Sequence, residues 1–66
     1  MDVFFNGQQI RTTAENLNTL MGEQQLLKKQ GIAVALNNEV IPKTQWNNKQ
    51  LKEHDIIMVI TAAAGG

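Results

Sequence analysis

Ile56-Ile57-Met58-Val59-Ile60 is an unbroken apolar run in which every residue but Met58 is β-branched. A run this short, with this composition, reads as a β-strand rather than a helix. It is apolar at both parities, so neither of its faces suits water. Such a strand belongs at the centre of a sheet, or offers one face to a partner. Lys52-Glu53-His54-Asp55 supplies a turn into it, and Thr61-Ala62-Ala63-Ala64-Gly65-Gly66 follows it. Over those six residues the side chains shrink to methyl groups and then to hydrogen. A tail without side chains has almost nothing to bury, and glycine loses the most backbone freedom on being fixed. The expectation is a flexible tail over 61–66 that enters a narrow channel and presents its terminal carboxylate there.

The opening of the chain supplies a second strand of the same quality. Met1, Val3 and Phe5 share one face at a period of two, and Phe4 takes the other. Asn6-Gly7 is the strongest short signal for a two-residue hairpin, because a type I′ turn needs positive φ at both central positions. The return segment, Gln8 to Thr12, is polar except for Ile10, as suits an edge strand. The two most apolar strands, first and last, are then central neighbours running parallel.

Between them lies one helix and a strand pair. Asn16 is placed to cap a helix that begins at Leu17, with Leu20, Met21, Gln24 and Leu27 along one stripe. Gly22 weakens its middle by about 1 kcal/mol relative to alanine. Two readings follow: a helix to Lys29, or a break after Gly22 that leaves Leu26 and Leu27 as loop plugs. Gly31 closes the region in either case. Ile32, Val34 and Leu36 alternate with Ala33 and Ala35 as a strand. Asn37-Asn38 is a second turn, and Glu39-Val40-Ile41 is a short strand stopped by Pro42, which has no N–H for a ladder. Lys43 to Lys52 is polar apart from Trp46 and Leu51, and is expected to wrap the rim with Trp46 as a plug. One helix laid across a mixed sheet buries these stripes economically. The result is an α+β chain of β-grasp architecture. Its core is expected to contain Val3, Phe5, Ile10, Leu17, Leu20, Met21, Val34, Leu36, Ile57 and Val59. Phe4, Met58 and Ile60 have the opposite parity, and with one helix available they are left as an apolar patch for a partner.

Composition excludes several function classes. Sixty-six residues make a single domain, 1–66, with no room for a deep catalytic cleft. Six basic and six acidic residues cancel, which argues against nucleic-acid binding. Without cysteine there is no disulfide, thiolate metal site or thiol nucleophile. No apolar run approaches the ~20 residues of a membrane span. These features point to a cytoplasmic location, no membrane contact and no bound metal or cofactor. His54, the only histidine, has no partner set and reads as a solvated turn residue. Glu53 and Asp55 point apart on extended chain and make no acid–base pair. Serine is absent, and Thr12, Thr13, Thr19, Thr44 and Thr61 have no positioned base. The chain is not read as an enzyme.

At this point the residues resemble a known family. Met1-Asp2-Val3-Phe4-Phe5-Asn6-Gly7, the block Ala35-Leu36-Asn37-Asn38-Glu39-Val40-Ile41-Pro42 with Trp46, and Asp55, Ile57 and Val59 leading to Gly65-Gly66 are similar to the ThiS sulfur carriers of thiamine biosynthesis. These are ubiquitin-like β-grasp proteins. The resemblance implies that the carboxylate of Gly66 is adenylated by a ubiquitin-activating-like adenylyltransferase that uses ATP. It is then converted to a thiocarboxylate with sulfur from a donor protein, and the sulfur passes to thiazole synthase. It also implies partner contacts through Ala62, Ala63, Ala64 and Gly65, beside Phe4, Met58 and Ile60. Two positions depart from the family: Ala62-Ala63-Ala64 is plainer than usual before the diglycine, and His54 stands where relatives commonly have glycine. A carrier of the molybdopterin-synthase small-subunit type and a ubiquitin-like interaction module remain as alternatives.

Overall fold

The computed structural model describes residues 1–61. In chain order it comprises β1 (Asp2–Phe5), β2 (Gln8–Arg11), α1 (Leu17–Glu23), β3 (Ile32–Leu36), β4 (Glu39–Val40), a 3-10 helix (Lys43–Asn48) and β5 (Ile56–Thr61). The five strands form one mixed sheet in the order β2-β1-β5-β3-β4. β5 is the middle strand, as its double-sided apolar character requires. It runs parallel to β1, with Phe4 opposite Ile56 and Phe5 opposite Ile57, and antiparallel to β3 from Ile32–Thr61 to Leu36–Ile57. This is the β-grasp arrangement expected from the pattern.

Both predicted two-residue turns form. Asn6 and Gly7 have φ of 52° and 82°, and Asn37 and Asn38 of 50° and 72°, the left-handed pairs a type I′ turn needs. The Asn16 side chain accepts the Thr19 N–H at 2.8 Å and so starts α1. Of the two readings of the helix, the early break is the one realised. α1 stops at Glu23, Gln25 turns into left-handed backbone at φ 61°, and the Leu26 N–H returns to Met21 O at 2.8 Å. Leu26 and Leu27 then pack against the core as plugs. A Cβ at Gly22 would lie 3.2 Å from Leu27 Cδ1, so glycine is what lets the plug approach.

Leu17, Leu20 and Met21 of α1 are fully buried against Val3, Val34, Leu36 and Ile57 of the sheet. Phe5, Ile10 and Val59 pack on this cluster but are only partly buried. A seven-residue helix is roughly 10 Å long and cannot roof the whole sheet. Irregular chain completes the cover: Ala14, Ile41, Trp46 and Leu51 all join the core. Trp46 is a full core member rather than a rim plug, and its Nε1 donates to Ile41 O at 2.9 Å. Thr61, assigned to the tail on sequence, is the last residue of β5 and sits opposite Ile32. The remaining tail, Ala62 to Gly66, lies outside the described residues.

Candidate functional site

Two asparagines hold the strand that leads to the tail. On the β3 side, Asn37 donates its main-chain N–H to Ile56 O at 2.8 Å, and its Oδ1 accepts the Ile56 N–H at 2.9 Å. Its Nδ2 donates to Asp55 Oδ1 at 2.9 Å, while Asp55 Oδ2 accepts the Lys52 N–H at 2.7 Å. Asp55 thus belongs to the turn expected from sequence, and the structure buries it. On the β1 side, the Asn6 N–H donates to Ile57 O at 2.9 Å and Asn6 Oδ1 accepts the Val59 N–H at 2.8 Å. The Asn6 side chain thereby replaces the carbonyl that β1 would offer if it continued. Ile60 and Thr61 run on past the hairpin with β3 as their strand neighbour. Thr61, the last described residue, is thus the end of the middle strand and lies opposite Ile32. Sequence reasoning identified both asparagines as turn residues and missed this second role. Spacing carries no signal for it, because the partners are 53 and 19 residues away.

The sheet face away from α1 is apolar and has no cover among the described residues. Ile56, Met58 and Ile60 are 47%, 44% and 51% exposed along β5, and Val40 on β4 is 61% exposed. Phe4 lies opposite Ile56 and is partly buried, with its ring centroid 6.4 Å from that of His54. Ala35 opposite Met58, and Ala33 opposite Ile60, keep the floor of the face low. The structure thus brings the predicted Phe4, Met58 and Ile60 onto one surface. Sequence reasoning missed Ile56 and Val40. The parity of Ile56 with Met58 was a sufficient signal for the first. Val40 needed the hairpin register that sets it opposite Ala35.

The rim of this face is polar. Arg11 Nε lies 3.1 Å from Asp2 Oδ1 across the β1–β2 pair, and Gln9 Nε2 donates to Asp2 Oδ2 at 3.3 Å. The Arg11 hydrogen bond holds the Asp2 carboxyl below its ordinary value. His54 is an exposed turn residue whose N–H donates to Asp2 O at 2.7 Å, and its Nε2 lies 3.6 Å from Glu53 Oε2. Its φ of 69° lies in the left-handed region that glycine adopts freely. Among the described residues no three His, Asp or Glu side chains gather as a metal site, and no helix is long and apolar enough to cross a membrane.

Comparison with known proteins places this geometry. The model of the ThiS family matches residues 3–66. The sulfur carrier protein ThiS of Escherichia coli (strain K12) is 29% identical over 66 residues, covering all of both chains. The crystal structure of a thiamine biosynthesis protein (ThiS) from Geobacter metallireducens superposes with a TM-score of 0.84 at 23% identity, covering all of both chains. The solution structure of a thiamine biosynthesis protein from the same organism gives 0.76 at 23% identity, covering all of this chain and 88% of that one.

Proposed function

This chain belongs to the ThiS family, and from that membership we propose that it carries sulfur for thiamine biosynthesis on the C-terminal carboxylate of Gly66. The observation that carries the reading is the end-to-end match to a relative named as a sulfur carrier. A carboxylate is a poor electrophile until one oxygen joins a good leaving group. Attack of the Gly66 carboxylate on the α-phosphate of ATP, within an adenylyltransferase, gives the acyl-adenylate and releases pyrophosphate. The terminal sulfur of a donor protein's persulfide then displaces AMP to give an acyl disulfide. A thiol attacks the donor's sulfur, forms a disulfide with it and releases the thiocarboxylate, which thiazole synthase consumes. Glycine at the end lets both partners approach the carbonyl without a Cβ in the way.

In this reading the body of the domain docks and the tail delivers. The open face, with Phe4, Met58 and Ile60 and now Ile56, seats the partner. Ala62, Ala63, Ala64 and Gly65 thread its channel. Catalytic groups and ATP belong to the partner; this chain is its substrate. The reach of the tail is then critical. Removing Gly66 draws the carboxylate back by about 3.5 Å, and a misplacement of ~1 Å already costs ~10²-fold in a positioned reaction.

The test is intact mass after incubation with ATP, the adenylyltransferase and a sulfur source, followed by fragmentation. The expected product has one oxygen replaced by sulfur, located on Gly66. Deletion of Gly66 abolishes it while the domain stays folded. Sulfur on another residue, or full transfer by the truncated chain, refutes the proposal.

A further inference from the structure

A second surface lies at the opposite edge of the sheet from the hairpin. β4 pairs with β3 only at Ala35 and Leu36, and the Ile41 N–H adds one more rung to Val34 O at 2.9 Å. The ladder ends there for two reasons: the Ile41 carbonyl is taken by the Trp46 indole, and Pro42 has no N–H. Main-chain groups of Val34 and Leu36 point toward β4, and Ile32 is the next residue of β3 on that side. Its edge therefore has no strand beside it among the described residues. A groove of about 370 Å³ takes that place, lined by Ile32, Val34, Val40 and Trp46 with Lys29 and Lys43. Both charged groups in its lining are cations. Lys43 is held in position, its Nζ donating to Leu27 O at 2.9 Å and lying 5.9 Å from the centroid of the Trp46 ring.

We propose that this groove receives an extended acidic–apolar segment of a partner protein, added as a short strand on the outer edge of β3. An added strand meets the main chain of Ile32 and alternates its side chains across the edge. On the α1 side they meet Lys29 and Lys43, which calls for carboxylates. On the other side they meet Val40 and Ala33, which calls for aliphatic residues. Ile32 is directly opposite Thr61, so the added strand lies one strand away from the root of the tail. This surface adjoins the open sheet face at Val40 and Ala33 but is centred on the edge at Ile32, and it does not depend on the sulfur-carrier reading.

The test uses the full ¹⁵N-labelled chain and a capped heptapeptide alternating aspartate with valine. Its control has lysine in place of each aspartate. The expected result is an amide shift centred on Ile32 together with a shift of the indole of Trp46, the only tryptophan. The effect fades as salt is raised and is absent with the lysine peptide. Lys29→Gln and Lys43→Gln each weaken binding by about 1.5- to 5-fold, the range of exposed ion pairs. Three results overturn the proposal: no shift at Ile32, equal binding of the lysine peptide, or shifts centred on Ile56, Met58 and Ile60. Sedimentation showing that the free chain dimerises through this edge also overturns it, since the occupant is then a second copy.

Discussion

Ile57 and Met58 are neighbours in the middle strand, yet the first is fully buried and the second 44% exposed. The difference is sharpest at this pair and fades along β5, where Val59 is half-buried and Thr61 exposed. Residues facing α1 meet a helix, two leucine plugs and Trp46, while residues facing the other way meet none of these. Both faces are equally apolar in sequence. What separates them is that the chain has one helix to spend, and its irregular segments gather on the same side. The covered face holds the molecule together. The bare face leaves Ile56, Met58, Ile60 and Val40 in water, which is intelligible if a partner completes it.

The comparison breaks most visibly at Ile57. Ile57→Ala is expected to lower unfolding free energy by about 2–5 kcal/mol, read as a fall in urea midpoint with unchanged slope. Met58→Ala in the same assay is expected to stay within about 1 kcal/mol of the parent. Equal losses at the two sites would abolish the distinction between the faces.

Next in size is binding. Met58→Asp combined with Ile60→Asp is expected to weaken association with the proposed partners, an adenylyltransferase and thiazole synthase, by at least about tenfold, as at the centre of an interface. The circular dichroism spectrum is expected to stay that of the parent. Undiminished affinity for both enzymes would remove the open face from the proposed docking surface.

Smaller effects sharpen the rim. His54→Gly relieves a left-handed residue costing roughly 1–2 kcal/mol but frees the unfolded chain by about 0.4–1 kcal/mol. A net gain of about 0–1.6 kcal/mol in thermal unfolding is expected from those opposing terms. The smallest effect concerns Asp2, whose folded-state pKa is lowered by Arg11. A lowered carboxyl pKa adds stability above the unfolded-state value, and that stability is lost as pH falls through the folded-state value. Asp2→Asn is therefore expected to lower stability slightly at neutral pH, where the contribution is fully present, and to flatten the fall of the profile below about pH 4. A variant with the same acid limb as the parent would show that the pair is without thermodynamic effect.

The periodic parts of the fold were legible in the sequence. Alternation assigned Val3, Val34, Leu36 and Ile57 to the covered face and Phe4, Met58 and Ile60 to the open one. Asn6-Gly7 and Asn37-Asn38 announced both tight turns. The helix boundary was not legible, because the leucine stripe continues through Gly22 while the backbone does not. Nor was the burial of Ile41, Trp46 and Leu51, since irregular chain carries no period from which a face can be assigned.

The sequence by itself determined which strand is central, which turns are tight and which side chains share a parity. Those properties follow from local sterics and from the two-residue repeat of extended chain. Only the tertiary structure decided which parity is roofed, where β1 stops short of β5, and that Asn6 and Asn37 clamp the middle strand from its two sides. Each of these depends on residues far apart in sequence meeting at hydrogen-bond distance. Val59 and Asn6, 53 residues apart and 2.8 Å from nitrogen to oxygen, meet only once the sheet has closed.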